Sequence, residues 1–86
     1  MSEETKTPAL ILYTVPNCPL CVAARDWLAR HRVAYVERDV AHDFGALRAM
    51  YKLTRQKLVP VFAPAGQHAL VRPTEDELQL LVLRRD

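Results

Sequence analysis

Cys18 and Cys21, in the segment Cys18-Pro19-Leu20-Cys21, are the residues of this chain best suited to chemistry. A thiolate attacks a disulfide sulfur and a protonated thiol barely does, so a redox cysteine needs surroundings that lower its pKa from about 8.5. The start of a helix supplies them, because its unpaired backbone N–H groups and the positive end of its dipole stabilise an anion. The pattern from Pro19 onward is helical, which puts Cys18 at the N-terminal end and Cys21 one turn further in, on the same side. In that arrangement Cys18 would form a mixed disulfide with a target, and Cys21 would attack it to release the reduced product. A bond between cysteines so close in sequence closes almost no loop, so the pair has little value as a structural staple.

On residue type alone, other readings of the pair stay open. Zinc would need about four ligands, and the remaining donors His31, His42 and His68 show no ligand spacing. Two buried structural thiols are another possibility, since cysteine is often a core residue. What favours redox chemistry is the context: a strand, a tight turn, then a helix carrying both sulfurs.

The elements that must position the pair can be read from periodicity. The apolar run Ala9-Leu10-Ile11-Leu12-Tyr13, continued to Thr14, predicts a strand that Val15-Pro16-Asn17 breaks. The helix that follows carries Leu20, Ala24, Trp27, Leu28 and His31 on or near one stripe, and Asn17 or Cys18 can cap it. Proline suits its first turn, where no intrahelical N–H bond is lost. Residues 33–40 read as a second strand ending near Asp39, and a β–α–β start favours a parallel pair with a right-handed crossover.

Residues 43–52 predict a short helix capped by Asp43, burying Leu47 and Met50 with help from Phe44 or Tyr51. Residues 58–62 are strand-like but contain Pro60, which belongs at an edge or at a strand's first residue because it cannot donate to a ladder. After the turn cluster Pro64-Ala65-Gly66-Gln67, residues 68–71 can return antiparallel. Thr74 and Glu77 form a capping-box pattern opening a helix with Leu78, Leu80, Leu81 and Leu83, ending in Arg84-Arg85. The order is βαβαββα.

Eighty-six residues make one domain, taken as residues 9–86 behind a flexible N-terminal segment over 1–8. Half the residues are hydrophobic and 26% charged, which is globular rather than disordered composition. A formal charge of only +2 argues against nucleic acid or a membrane surface as partner. The longest apolar run is far short of the roughly 20 residues a membrane helix needs, and the polar, acidic start (Ser2, Glu3, Glu4) is unlike a secretory signal. These features predict a cytoplasmic protein, and a monomer is expected.

The segment LYTVPNCPLC, the βαβαββα order and the later LVPVF together resemble the glutaredoxins and the small redoxins that reduce ribonucleotide reductase, within the thioredoxin-fold superfamily. The resemblance runs over nearly the whole chain from about Leu10. It implies an α/β, thioredoxin-like fold: a four-stranded mixed sheet of order 2-1-3-4 with helices on both faces. It also implies dithiol–disulfide exchange at Cys18 and Cys21, a cis peptide bond at Pro60, and main-chain pairing of substrate at Val59. No bound cofactor is implied; glutathione or a thioredoxin-reductase-type flavoenzyme would be the reductant, and a protein disulfide or glutathione mixed disulfide the substrate. Other members hold an iron–sulfur cluster between two subunits, and a non-catalytic domain that keeps only the fold is a third reading.

Departures from the family pattern bear on substrate choice. The three residues before Cys18 are Val15, Pro16 and Asn17, where many glutaredoxins carry a lysine or arginine. The last helix is preceded by Val71-Arg72-Pro73 rather than a Gly-Gly pair, which resembles instead the Phe-Arg-Pro stretch of the ribonucleotide-reductase redoxins. Arg55 and Lys57, just upstream of Val59, are candidate cations for a substrate carboxylate or an acidic partner. Trp27 is expected in the core with a partner for its indole N–H, Leu20 is expected to be an exposed apolar contact, and the histidines are expected at the surface or in caps.

Overall fold

The computed structural model describes residues 10–84; the segment 1–8 expected to be flexible, and the residue Arg85 expected in the last helical turn, lie outside the described residues. The elements are β1 (Leu10–Thr14), α1 (Pro19–Arg30), β2 (Val36–Asp39), α2 (Phe44–Thr54), β3 (Val61–Pro64), β4 (Leu70–Val71) and α3 (Glu75–Arg84). The expected order βαβαββα is the observed one. The four strands form one sheet of order β2-β1-β3-β4. β1 pairs parallel with β2 and antiparallel with β3, and β3 pairs antiparallel with β4.

Strand alternation divides the core in two. Leu10 and Leu12 of β1 and Phe62 of β3 face α1 and α3, meeting Ala24, Trp27, Leu28, Leu78 and Leu81. Tyr13 and Val61 face the other way, towards Ala46 and Met50 of α2. Helices therefore cover both faces of the sheet, as expected from the resemblance.

Several boundaries differ from the periodicity reading. β2 begins at Val36 rather than residue 33, because Val33 packs into the core and donates its N–H to Leu28 O (3.0 Å), closing the end of α1 instead of pairing in the sheet. β3 starts after Pro60 rather than at Leu58, and lies between β1 and β4 rather than at an edge; the proline stands just outside the ladder it could not donate to. β4 is only Leu70–Val71.

The buried face of α2 is also rotated from the expected one. Ala46 and Met50 are buried and Leu47 is half-buried, while Phe44 and Tyr51 are exposed. A small rotation about the helix axis is enough to put Ala46 in the core in place of an aromatic ring. On α1 the buried set is Cys21, Ala24, Trp27 and Leu28, with Leu20 and His31 exposed.

The helix caps follow the sequence. Asp43 accepts the Ala46 N–H at 3.0 Å, and Thr74 and Glu77 exchange bonds of 2.8 and 3.2 Å in a reciprocal capping box. The indole N–H of Trp27 donates to Glu75 Oε2 at 3.0 Å, joining the two helices on the α1/α3 face.

Candidate active site

The chain leaves β1 through Val15-Pro16-Asn17, with Asn17 in the left-handed region at φ 59°. Asparagine tolerates that conformation better than most residues, so the reversal can be tight. Cys18 follows as the N-cap of α1 in extended conformation, and Pro19 occupies the first helical position. The Cys18 carbonyl accepts the Val22 N–H at 3.0 Å, and its Sγ accepts the Cys21 N–H at 3.2 Å. The sulfur thus does at this helix end what an oxygen does in an ordinary cap. Both thiols are free, Cys18 half-buried and Cys21 fully buried.

The two thiols are pushed in opposite directions. Burial raises that of Cys18, but donation from the Cys21 thiol, the backbone N–H groups of Cys21 and Leu20, and the charge of Arg72 outweigh it, leaving the thiol below its ordinary value. Burial, together with the hydrogen bond its thiol gives to Cys18, pushes Cys21 up to about 11; Val15 N–H and the charge of Arg25 oppose the rise. Such a pair can hold one sulfur as an anion while the second keeps its proton close at hand.

Val59 and Pro60 are both buried, and the bond between them is cis, as the resemblance implied. Val59 belongs to the core cluster that contains Cys21 and is packed by Cys18, so the loop before β3 and the start of α1 come together. Leu20, half exposed, and Pro60 line a cavity of about 260 Å³ that continues over Trp27, Arg30 and Leu78 to Arg72.

Arg55 and Lys57 are placed differently. Arg55 is the left-handed C-cap of α2 (φ 58°), donating its N–H to Tyr51 O, and both side chains are exposed. Among the described residues neither has an ion-pair partner.

The cation bonded to the Val59–Pro60 loop is Arg72, just past β4, whose charge is the least of the influences that lower the Cys18 thiol. Its Nε donates to Val59 O at 2.7 Å and its backbone N–H to Pro60 O at 3.0 Å. Sequence reasoning singled out Arg72 as part of a motif but gave it no place at the site, because only the β3–β4 pairing brings it there. A second group missed in the sequence surrounds Glu37, whose Oε2 accepts from the buried Thr14 Oγ1 (2.6 Å) and from Arg25 Nε and Nη2 (both 2.7 Å). It ties β1, β2 and α1 together one turn beyond Cys21.

A family model described as glutaredoxin matches residues 10–69. The chain belongs to the glutaredoxin family. Glutaredoxins are typically thiol–disulfide oxidoreductases, and this member keeps the paired cysteines side by side at the start of α1. It is 28% identical over 79 residues to a Mycobacterium tuberculosis protein named "Putative glutaredoxin", spanning 91% of this chain and 94% of that one. Among solved structures it is similar to the thioredoxin-like protein BC3987, with a TM-score of 0.76 at 29% identity over 84% of this chain and 97% of the other. A buckwheat glutaredoxin solved in complex with glutathione shares the fold (TM-score 0.61, 17% identity, 71% of this chain and 58% of that one).

Among the described residues of this glutaredoxin, no three His, Cys, Asp or Glu side chains are grouped where they could hold a metal ion. No helix among them is long and apolar enough to cross a membrane.

Proposed function

We propose that this glutaredoxin is a dithiol–disulfide oxidoreductase that reduces protein or glutathione mixed disulfides through Cys18 and Cys21. The observation that carries the reading is the Cys18 sulfur at the N-cap of α1, accepting the Cys21 N–H at 3.2 Å. The Cys18 thiolate attacks one sulfur of the target disulfide, forming a Cys18–target bond and expelling the other target sulfur as a thiolate that takes up a proton. Cys21 then gives up its proton and attacks Cys18, so that the second target sulfur leaves as a thiol and a Cys18–Cys21 disulfide remains. Two electrons have passed to the target. Two electrons from glutathione or from a thioredoxin-reductase-type flavoenzyme restore the dithiol, and no bound cofactor takes part.

Val59 offers its main-chain N–H to the target beside the reacting sulfurs, its carbonyl being held by Arg72, and Arg55 and Lys57 stand on the exposed approach to that loop, available to an acidic partner. Binding of glutathione by the buckwheat relative supports its role as a co-substrate here. The reading fits a protein of a reducing compartment such as the cytoplasm.

The test is disulfide reduction by the pure protein, assayed with glutathione plus its reductase and, side by side, with thioredoxin reductase. Turnover with one donor and its loss in Cys18→Ser are expected. A Cys18→Ser protein as active as the parent would leave only the fold in common with an enzyme.

A further inference from the structure

The loop that carries Val59 and Pro60 has two carbonyls that a sheet ladder does not claim within β3, and one residue takes both. Arg72 donates through Nε to Val59 O at 2.7 Å and through its backbone N–H to Pro60 O at 3.0 Å. It does so from a left-handed conformation, φ 46°, which is unfavourable for an L residue with a Cβ. The backbone here turns out of β4 so that the side chain lies back over the loop instead of continuing the strand. Arg72 lines the same cavity as Leu20, the residue between the cysteines.

We infer that Arg72 is the positioning residue of the dithiol site, its side chain anchoring the Val59 carbonyl and bringing a fixed positive charge to the wall of the cavity that Leu20 also lines. Two parts of guanidinium chemistry separate the two tasks. The donor at Nε orients the Val59–Pro60 loop against the start of α1, and the delocalised charge favours the anionic form of the sulfur there. A planar group already bonded to the loop loses little further freedom when a target arrives, so both effects are in place before binding. Among the described residues, the cations nearest in sequence to Val59, Arg55 and Lys57, make no side-chain hydrogen bond to the Val59 or Pro60 carbonyl, whereas Arg72 holds the first through Nε.

This inference rests on the proposed role of Cys18, and the test keeps the two apart. Alkylation of Cys18 by iodoacetamide is followed against pH in the wild type, Arg72→Met, Arg72→Lys and Arg72→Gln, with Lys57→Gln as the control cation. KM is measured on a peptide mixed disulfide. Arg72→Met, which has neither charge nor donor, is expected to move the alkylation midpoint up by about half a unit or more and to raise KM several-fold. Arg72→Lys, keeping the charge, returns the midpoint towards wild type; Arg72→Gln, keeping a donor, returns KM but not the midpoint. Lys57→Gln leaves the midpoint unchanged.

If Arg72→Met does not fold, the Lys and Gln variants carry the same comparison. Alkylation profiles and KM values of the folded Arg72 variants that superimpose on wild type overturn the inference. A wild-type Cys18 that titrates like a free peptide thiol overturns the underlying role of Cys18 instead, whatever the variants do.

Discussion

The backbone N–H of Cys21 points at the sulfur of Cys18 across 3.2 Å, while the thiol of Cys21 itself is fully buried in the core. One residue therefore stabilises its partner's negative charge through its backbone while burial keeps its own proton in place. The asymmetry arises from a single helical turn: the capping residue faces outward to the loop, and the residue three later faces inward to the core. It leads to expectations that can be measured on each sulfur separately.

The first concerns labelling. With iodoacetamide at pH 7, Cys18 is expected to react at least about tenfold faster than Cys21, since the rate follows thiolate fraction and access. Peptide mapping by mass spectrometry reads the order directly. Equal labelling of the two would contradict the asymmetry.

The second concerns stability against pH. Cys21 is raised in the folded state to about 11 by burial first and by its bond to Cys18 second, so folding favours its protonated form. That contribution is complete below the unfolded thiol value and is lost as pH rises through the folded one. The reduced protein is therefore expected to lose thermal stability between roughly pH 8.5 and 11 more steeply than the disulfide form, which has no thiol to titrate. Parallel pH–Tm curves for the two forms would count against a raised Cys21.

Glu37 allows a buried hydrogen bond and a partly exposed ion pair on the same oxygen to be compared. Thr14 is 1% exposed and donates to Glu37 at 2.6 Å, whereas the Arg25 and Glu37 side chains are each about one-third exposed. Thr14→Val is expected to cost about 2 kcal/mol, as a lost bond to a charged group at a buried site. Arg25→Met, which mainly loses a solvent-screened pair, should cost about 1 kcal/mol or less. Urea unfolding of both variants checks the ranking, and the reverse order would mean that the ion pair dominates.

Asp43 caps α2 through its Oδ1 and lies 3.6 Å from Arg38 Nη2 in a surface ion pair. Asp43→Ala should lower stability by about 1 kcal/mol, while Asp43→Asn, which can still accept the Ala46 N–H, should retain most of it. Equal losses in the two variants, read by the same urea titration, would assign the effect to charge rather than to capping.

Much of the architecture was legible because its signals are local. The strand–turn–helix around Cys18 is written in an apolar run, a proline and an asparagine, then a 3.6-residue pattern. Asp43 and the Thr74–Glu77 pair mark helix starts by their own side-chain chemistry. The strand bounds were less legible: Val33 and Leu58 have strand-forming types, but their pairing depends on where neighbouring strands begin. The exposed face of α2 shows the same limit, since Phe44 and Tyr51 read as core by type, yet the helix buries Ala46 and Met50 and leaves both rings outward.

By itself, the order of residues determined a βαβαββα chain with two thiols one turn apart at a helix start, because periodicity, caps and breakers act over a few neighbouring positions. Only the tertiary structure decided which cation serves Cys18 and which groups stand behind Cys21. Arg72 reaches Val59 and Arg25 reaches Glu37 through the pairing of β3 with β4 and of β1 with β2. Electrostatic partners depend on distance in space, and no local pattern records a separation that strand pairing alone makes short.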